Sequence, residues 1–79
     1  MRDRVGDVFA RIEAETGIKR SEIVSPCRCQ HIVRARHAVM AELRAMGLSL
    51  CVVARLTGRT CHTTVINGIR KHRDREAAA

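Results

Sequence analysis

The stretch Arg59-Thr60-Cys61-His62-Thr63-Thr64-Val65 sets four short polar side chains at the opening of an amphipathic segment, in a chain of net charge +7. A helix that opens on such groups turns its dipole toward an anion while its first side chains reach base edges, Thr offering both a hydroxyl and a methyl. Thr60 is a suitable N-cap, with Thr63 the other candidate. Val65 and Ile69 supply the apolar stripe to be buried, so residues 62 to 64 are expected to face a ligand.

Two other chemistries are spelled by the same residue types. Cys27-x-Cys29-x-His31, with Cys51, Cys61, His37, His62 and His72, provides ligand types suited to zinc. The spacing is not that of a Cys-x2-Cys knuckle and a second pair is missing, so no metal and no cofactor are expected. Cys61-His62 has the members of a thiol-imidazole pair, but neighbours on a helix point about 100° apart and do not face each other. An enzyme is not expected from 79 residues that leave no room for an aromatic-lined pocket.

The charge points to a polyanion. Of the 15 basic residues 13 are Arg, whose forked guanidinium suits guanine and phosphate. Residues 1 to 16 hold three Arg against four acids, whereas residues 17 to 37 hold five basic groups against Glu22 alone, and residues 59 to 76 hold five against two. Folding has to bring the last two segments together to make one basic face, the arrangement a duplex demands. Phe9 is the only aromatic residue, so stacking platforms for single strands are hard to build and double-stranded DNA is the better partner. No run approaches the length of a membrane span, the N-terminus lacks a signal-peptide stretch, and a cytoplasmic, nucleoid-associated protein with reduced thiols is expected.

The elements that must position these groups are helical throughout. Val5, Val8, Phe9 and Ile12 predict a helix over about residues 4 to 16, stopped by Gly17. A short helical piece around Ser21 to Val24 ends before Pro26. From about Gln30 the positions Val33, Val39, Met40, Leu43 and Met46 run to Gly47 as the longest helix, with Arg34, Arg36 and His37 in its first half. Ser49 can cap a helix of about residues 50 to 56 with Leu50, Val53, Ala54 and Leu56 inward, broken by Gly58. A last helix runs from about Cys61 to His72. Helix, short Gly-containing turn, helix with a polar opening is a helix-turn-helix reading. The fold class is thus all-α with about five helices in a single domain over residues 1 to 79, residues 76 to 79 forming an unpacked tail.

Gly17-Ile18-Lys19, Ile32-Val33-Arg34-Ala35-Arg36-His37, Leu48-Ser49-Leu50, Gly58, His62-Thr63-Thr64-Val65 and Arg70-Lys71 together resemble the C-terminal DNA-binding domain of the bacterial replication initiator DnaA, of the Trp-repressor-like superfamily. The resemblance covers roughly residues 5 to 73. It implies that the recognition helix enters the major groove, with His62, Thr63 and Thr64 on bases or adjacent backbone, joined by Cys61 and Cys51. It places Arg28 in the minor groove, and Arg36, His37, Arg44, Leu50 and Lys71 on phosphates; Arg34, on the same basic helix start, joins the phosphate set.

The chain also departs from that family. Cys61 replaces the usual Asp before the His and cannot accept strongly from a cytosine amino group, so a different base preference is expected there. Cys51 stands where a Pro normally meets a thymine methyl, and Cys27, Cys29 and Gln30 thin out a loop that is usually more basic. The turn after the long helix is one residue shorter. No ATPase module and no Gly-x-x-x-x-Gly-Lys loop is present, so this chain binds a site without driving origin melting. A stand-alone bacterial or phage regulator of transcription or replication is expected, with a further domain or protein partner left open. The alternative is a small helical protein-interaction module or inhibitor whose basic face meets an acidic protein.

Overall fold

The computed structural model describes residues 4–26, 28–58 and 62–78. Its helices, in chain order, are α1 (Arg4–Thr16), α2 (Arg20–Ile23), α3 (Gln30–Ala45), α4 (Leu50–Leu56) and α5 (His62–Ala78), and there is no strand among the described residues.

α1, α3 and α4 end where the local chemistry stops them. At the end of α1, the Thr16 hydroxyl donates to the Ile12 carbonyl at 2.7 Å, and Gly17 N–H donates to the Glu13 carbonyl at 2.7 Å. At the end of α3, Leu48 N–H reaches back to the Leu43 carbonyl and Gly47 N–H to the Arg44 carbonyl, with Gly47 at φ 94°, which closes the helix in a Schellman-type turn. Ser49 then caps α4, its Oγ accepting from Val52 N–H at 3.3 Å. Gly58, after α4, has φ 74°, and a Cβ on it would fall on the Val24 carbonyl oxygen, so the turn that leads to α5 lies directly on the end of α2.

α3 is the central element, packed by α1, α2, α4 and most extensively by α5, while α4 packs also on α5. The core is made of Val8, Phe9 and Ile12 from α1, Ile18, Ile23 from α2, Ile32, Ala35, Val39, Met40 and Leu43 from α3, Val53 and Ala54 from α4, and Val65 and Ile69 from α5. Arg11 and Glu42 form an ion pair of 2.6 Å between α1 and α3, and the Arg20 guanidinium lies 4.3 Å from the Phe9 ring centroid. These contacts tie α1 and α2 to the helix that carries α5.

Two sequence expectations are corrected. At the start of α3 the core position is taken by Ile32, and Val33 is only half-buried, because Ile32 and not Val33 continues through Val39 and Leu43 at spacings of seven and four. α5 runs past His72 to Ala78, so the exposed residues 76 to 78, read as an unpacked tail, continue the helix. Ala77 and Ala78 are strong helix formers, and Glu76 pairs with His72 one turn back at 3.1 Å. His31 stands exposed in the first turn of α3, inside the helix expected from about Gln30. Thr60, the expected cap of α5, and Cys27 and Cys61 lie outside the described residues.

Candidate nucleic-acid interface

α5 is seated by a narrow set of positions. Val65 is fully enclosed, Ile69 nearly so, and Gly68 faces α3 so closely that a Cβ there would lie 2.8 Å from both Met40 Sδ and His37 Cδ2. A helix held at 65, 68 and 69 must present 63, 67 and 70 on its opposite side, since positions three, four and seven apart share a face. His62, Thr63, Thr64, Asn67, Arg70 and Lys71 are all exposed, as the polar opening of this helix predicts for the first three.

On the flank toward α4, Arg44, Leu50, Ile66, Ile69, Arg70, Arg73 and Asp74 line one recess. Arg44 is fixed at its mouth, Nη1 donating to the Leu48 carbonyl at 2.8 Å, which also holds the turn between α3 and α4. Three guanidinium groups from two helices therefore border the same hollow as the first residue of α4. Cys51, the next residue of α4, is exposed. Arg44 and Leu50, read onto phosphates, line this recess together with residues of α5. Arg70 and Arg73 belong with them, and their spacing of three on one helix was the signal for it.

The other expected contacts divide. Arg36, placed on phosphate by resemblance, is only 5% exposed; its Nε donates to the Ile23 carbonyl and its Nη2 to the Ser25 carbonyl, both at 2.7 Å. A charged donor spent on two backbone acceptors at the end of α2 joins α2 to α3 and is not presented to a ligand. His37 is half-buried between α3 and α5, and Arg75 Nη2 donates to its Nδ1 at 2.9 Å. Burial, and after it the charges of Arg75, Lys71, Arg36 and His72, hold its pKa down to about 4, so the ring is neutral near pH 7 and carries no cation to a phosphate. Both residues were read onto phosphates: Arg36 is enclosed by these bonds in the fold, and the neutral His37, whose Nδ1 accepts from Arg75, can offer a phosphate only its Nε2–H.

Arg34 is exposed but lines a second recess with Ile12, Glu15, Ile18, Arg75 and Glu76, between the end of α1 and the last turns of α5. It stands away from Thr63, which lies three turns earlier on α5. Arg28, before α3, and Lys71, on α5, are exposed. No group of three His, Cys, Asp or Glu side chains suited to a metal ion stands together among the described residues, and no described helix is long and apolar enough to cross a membrane.

An exposed row of hydroxyl, imidazole and carboxamide groups, bordered by a three-arginine hollow, suits a polyanion whose edge carries hydrogen-bonding groups. The family model for the bacterial DnaA protein helix-turn-helix matches residues 5–71, which takes in all of α1 to α4 but the first residue of α1, and the seated part of α5. Neither a curated protein nor a solved structure matches the chain. With its five helices, its turn at Gly58 and its polar-opening α5 inside that match, the chain belongs to the bacterial DnaA helix-turn-helix family, a family of DNA-binding domains.

Proposed function

We propose that residues 1 to 79 act as one sequence-specific duplex-DNA-binding domain of a cytoplasmic, nucleoid-associated regulator of transcription or replication. The observation that carries this reading is the exposure of His62, Thr63 and Thr64 at the opening of a helix whose Val65, Gly68 and Ile69 are locked against α3 and α4. Side chains on a rigid helix lose little freedom on binding and can discriminate between base edges in the major groove. Cys51 and Cys61 join this surface. Arg44, Leu50 and Lys71 take the phosphates that fix the register, and Arg28 enters a neighbouring minor groove, where a narrow groove's potential attracts Arg.

The test is selection of bound duplexes from a random pool, followed by titration of the selected duplex at several salt concentrations. A recovered motif, with log affinity falling linearly in log salt at about 0.9 per phosphate neutralised, is the expected result. Affinity that is flat between low and physiological salt, or equal affinity for an acidic protein, would sink the reading in favour of a protein-binding basic face. Arg28→Ala is expected to lower affinity mainly for sites with A·T-rich flanks.

A further inference from the structure

We infer that Asn67 reads an adenine, which makes it a specificity-determining residue of α5; this rests on the duplex-binding reading above. The seating of α5 fixes its phase. Val65, Gly68 and Ile69 face inward and His72 and Arg75 are half-buried on the same side, so Thr63, Asn67, Arg70 and Asp74, spaced four, three and four apart and all exposed, form the stripe farthest from α3 and α4. The α3 flank is closed at Gly68 by His37 and Met40, and the α4 flank by Ile66 and Ile69 beside Leu50. Asn67 is central between those flanks.

The chemistry along the stripe changes in order. Thr63 offers a hydroxyl and a methyl, Asn67 a carboxamide, Arg70 a cation at the edge of the arginine recess, and Asp74 a carboxylate that repels phosphate. The duplex is thereby confined to the segment from Thr63 to Arg70, about 10 Å of helix, which fits a major groove about 12 Å wide. Asn67 sits about 6 Å beyond Thr63, inside the groove and not at its phosphate rim.

A carboxamide carries one acceptor and one donor side by side, matching adenine N6 and N7 better than any other base edge. No described residue takes a hydrogen bond from the Asn67 side chain, so nothing within the described fold competes for it. Ile66, 38% exposed and next to it, supplies an apolar surface for the thymine methyl of an A·T pair. The adenine read by Asn67 should stand one or two base pairs from the base read by Thr63, given about 3.4 Å per pair.

The experiment uses the whole chain. Duplex selection is run for wild type, Asn67→Ala and Thr63→Ala, and the best wild-type duplex is then bound with 7-deazaadenine, which lacks the N7 acceptor, at each adenine in turn. One adenine is expected at which wild type loses about 10-fold in affinity and Asn67→Ala loses nothing further, within two pairs of the position relaxed by Thr63→Ala. Asn67→Gln, a methylene longer, should also lose preference there. If Asn67→Ala weakens all sequences equally and keeps the wild-type motif, Asn67 contacts phosphate and the inference fails while duplex binding stands. If wild type selects no motif, the duplex-binding reading fails and this one with it. Circular dichroism of each variant confirms that helicity is retained.

Discussion

At the junction of α2 and α3, Arg36 is enclosed and gives its donors to the Ile23 and Ser25 carbonyls; on the other side of α3, Arg44 stands with Arg70 and Arg73 around an open recess beside α4. The side chains are the same and the chain count treats them alike. One is a strut whose cation is held by backbone carbonyls, and the others keep most of their donors toward solvent. A net charge of +7 is therefore not a count of DNA contacts. What decides the role of each arginine is enclosure: Arg36 is buried with two carbonyls, whereas Arg44 meets the Leu48 carbonyl at the surface with donors to spare.

The sharpest way to break that contrast is Arg36→Ala. It removes two hydrogen bonds from a charged donor and leaves two carbonyls without them, an expected loss of about 3 to 5 kcal/mol in unfolding free energy by chemical denaturation. Arg36→Lys keeps the charge but cannot span both acceptors, and most of the loss should remain. If either variant unfolds like wild type and only loses DNA affinity, Arg36 belongs with the exposed group. Next in size is Gly58→Ala, which combines a positive φ with a Cβ placed on the Val24 carbonyl oxygen. About 2 to 4 kcal/mol should be lost, read by thermal or denaturant unfolding.

Arg44→Ala and Arg70→Ala form the opposite arm. Each should leave unfolding within about 0.5 kcal/mol of wild type and reduce the salt slope of duplex binding by about one unit, with the preferred sequence unchanged. A larger stability loss for Arg44, through its bond to the Leu48 carbonyl, would give it a share of the strut's role.

A pH-dependent effect is set by His37. In the unfolded chain its ring protonates near the ordinary 6.5, whereas the folded chain keeps it neutral down to about 4. The unfolded state thus takes up the proton first as pH falls, so stability should decline from about pH 6.5 to about 4 and gain no further slope from this group below that. Denaturation of wild type beside His37→Gln across this window checks it: the variant's slope should be shallower. Equal slopes would mean that burial and, after it, the Arg75 charge do not exclude the proton.

Much of this was legible in the chain. α1 and α4 lie where their apolar spacing and the stops at Gly17 and Gly58 put them, Ser49 caps as its side chain suggests, and His62 to Thr64 are exposed because Val65 and Ile69 take the buried side. The enclosure of Arg36 has a signal in the chain. The residue stands four after Ile32, three before Val39 and seven before Leu43, inside the buried stripe of α3, where a surface cation would not be found. What periodicity could not supply was the acceptor, since the Ile23 and Ser25 carbonyls reach Arg36 only through the tertiary path of α2. The last turns of α5 were missed for a different reason. They carry no apolar repeat, and hold as helix through propensity, the His72–Glu76 pair and the Arg75 contact to His37.

The carboxylate of Asp74 at the end of the α5 stripe bears on how much information the helix can read. From Thr63 to Arg70 is about 10 Å, room for about three base pairs at 3.4 Å each. A three-pair word recurs by chance about once in 64 positions, against the ~10⁶ or more competing sites of a genome. On the proposed reading, the helix alone cannot address one locus. Selectivity has to come from adding words: a second groove read by the same copy, or several copies side by side on repeated sites, so that occupancy depends on how densely the word is clustered.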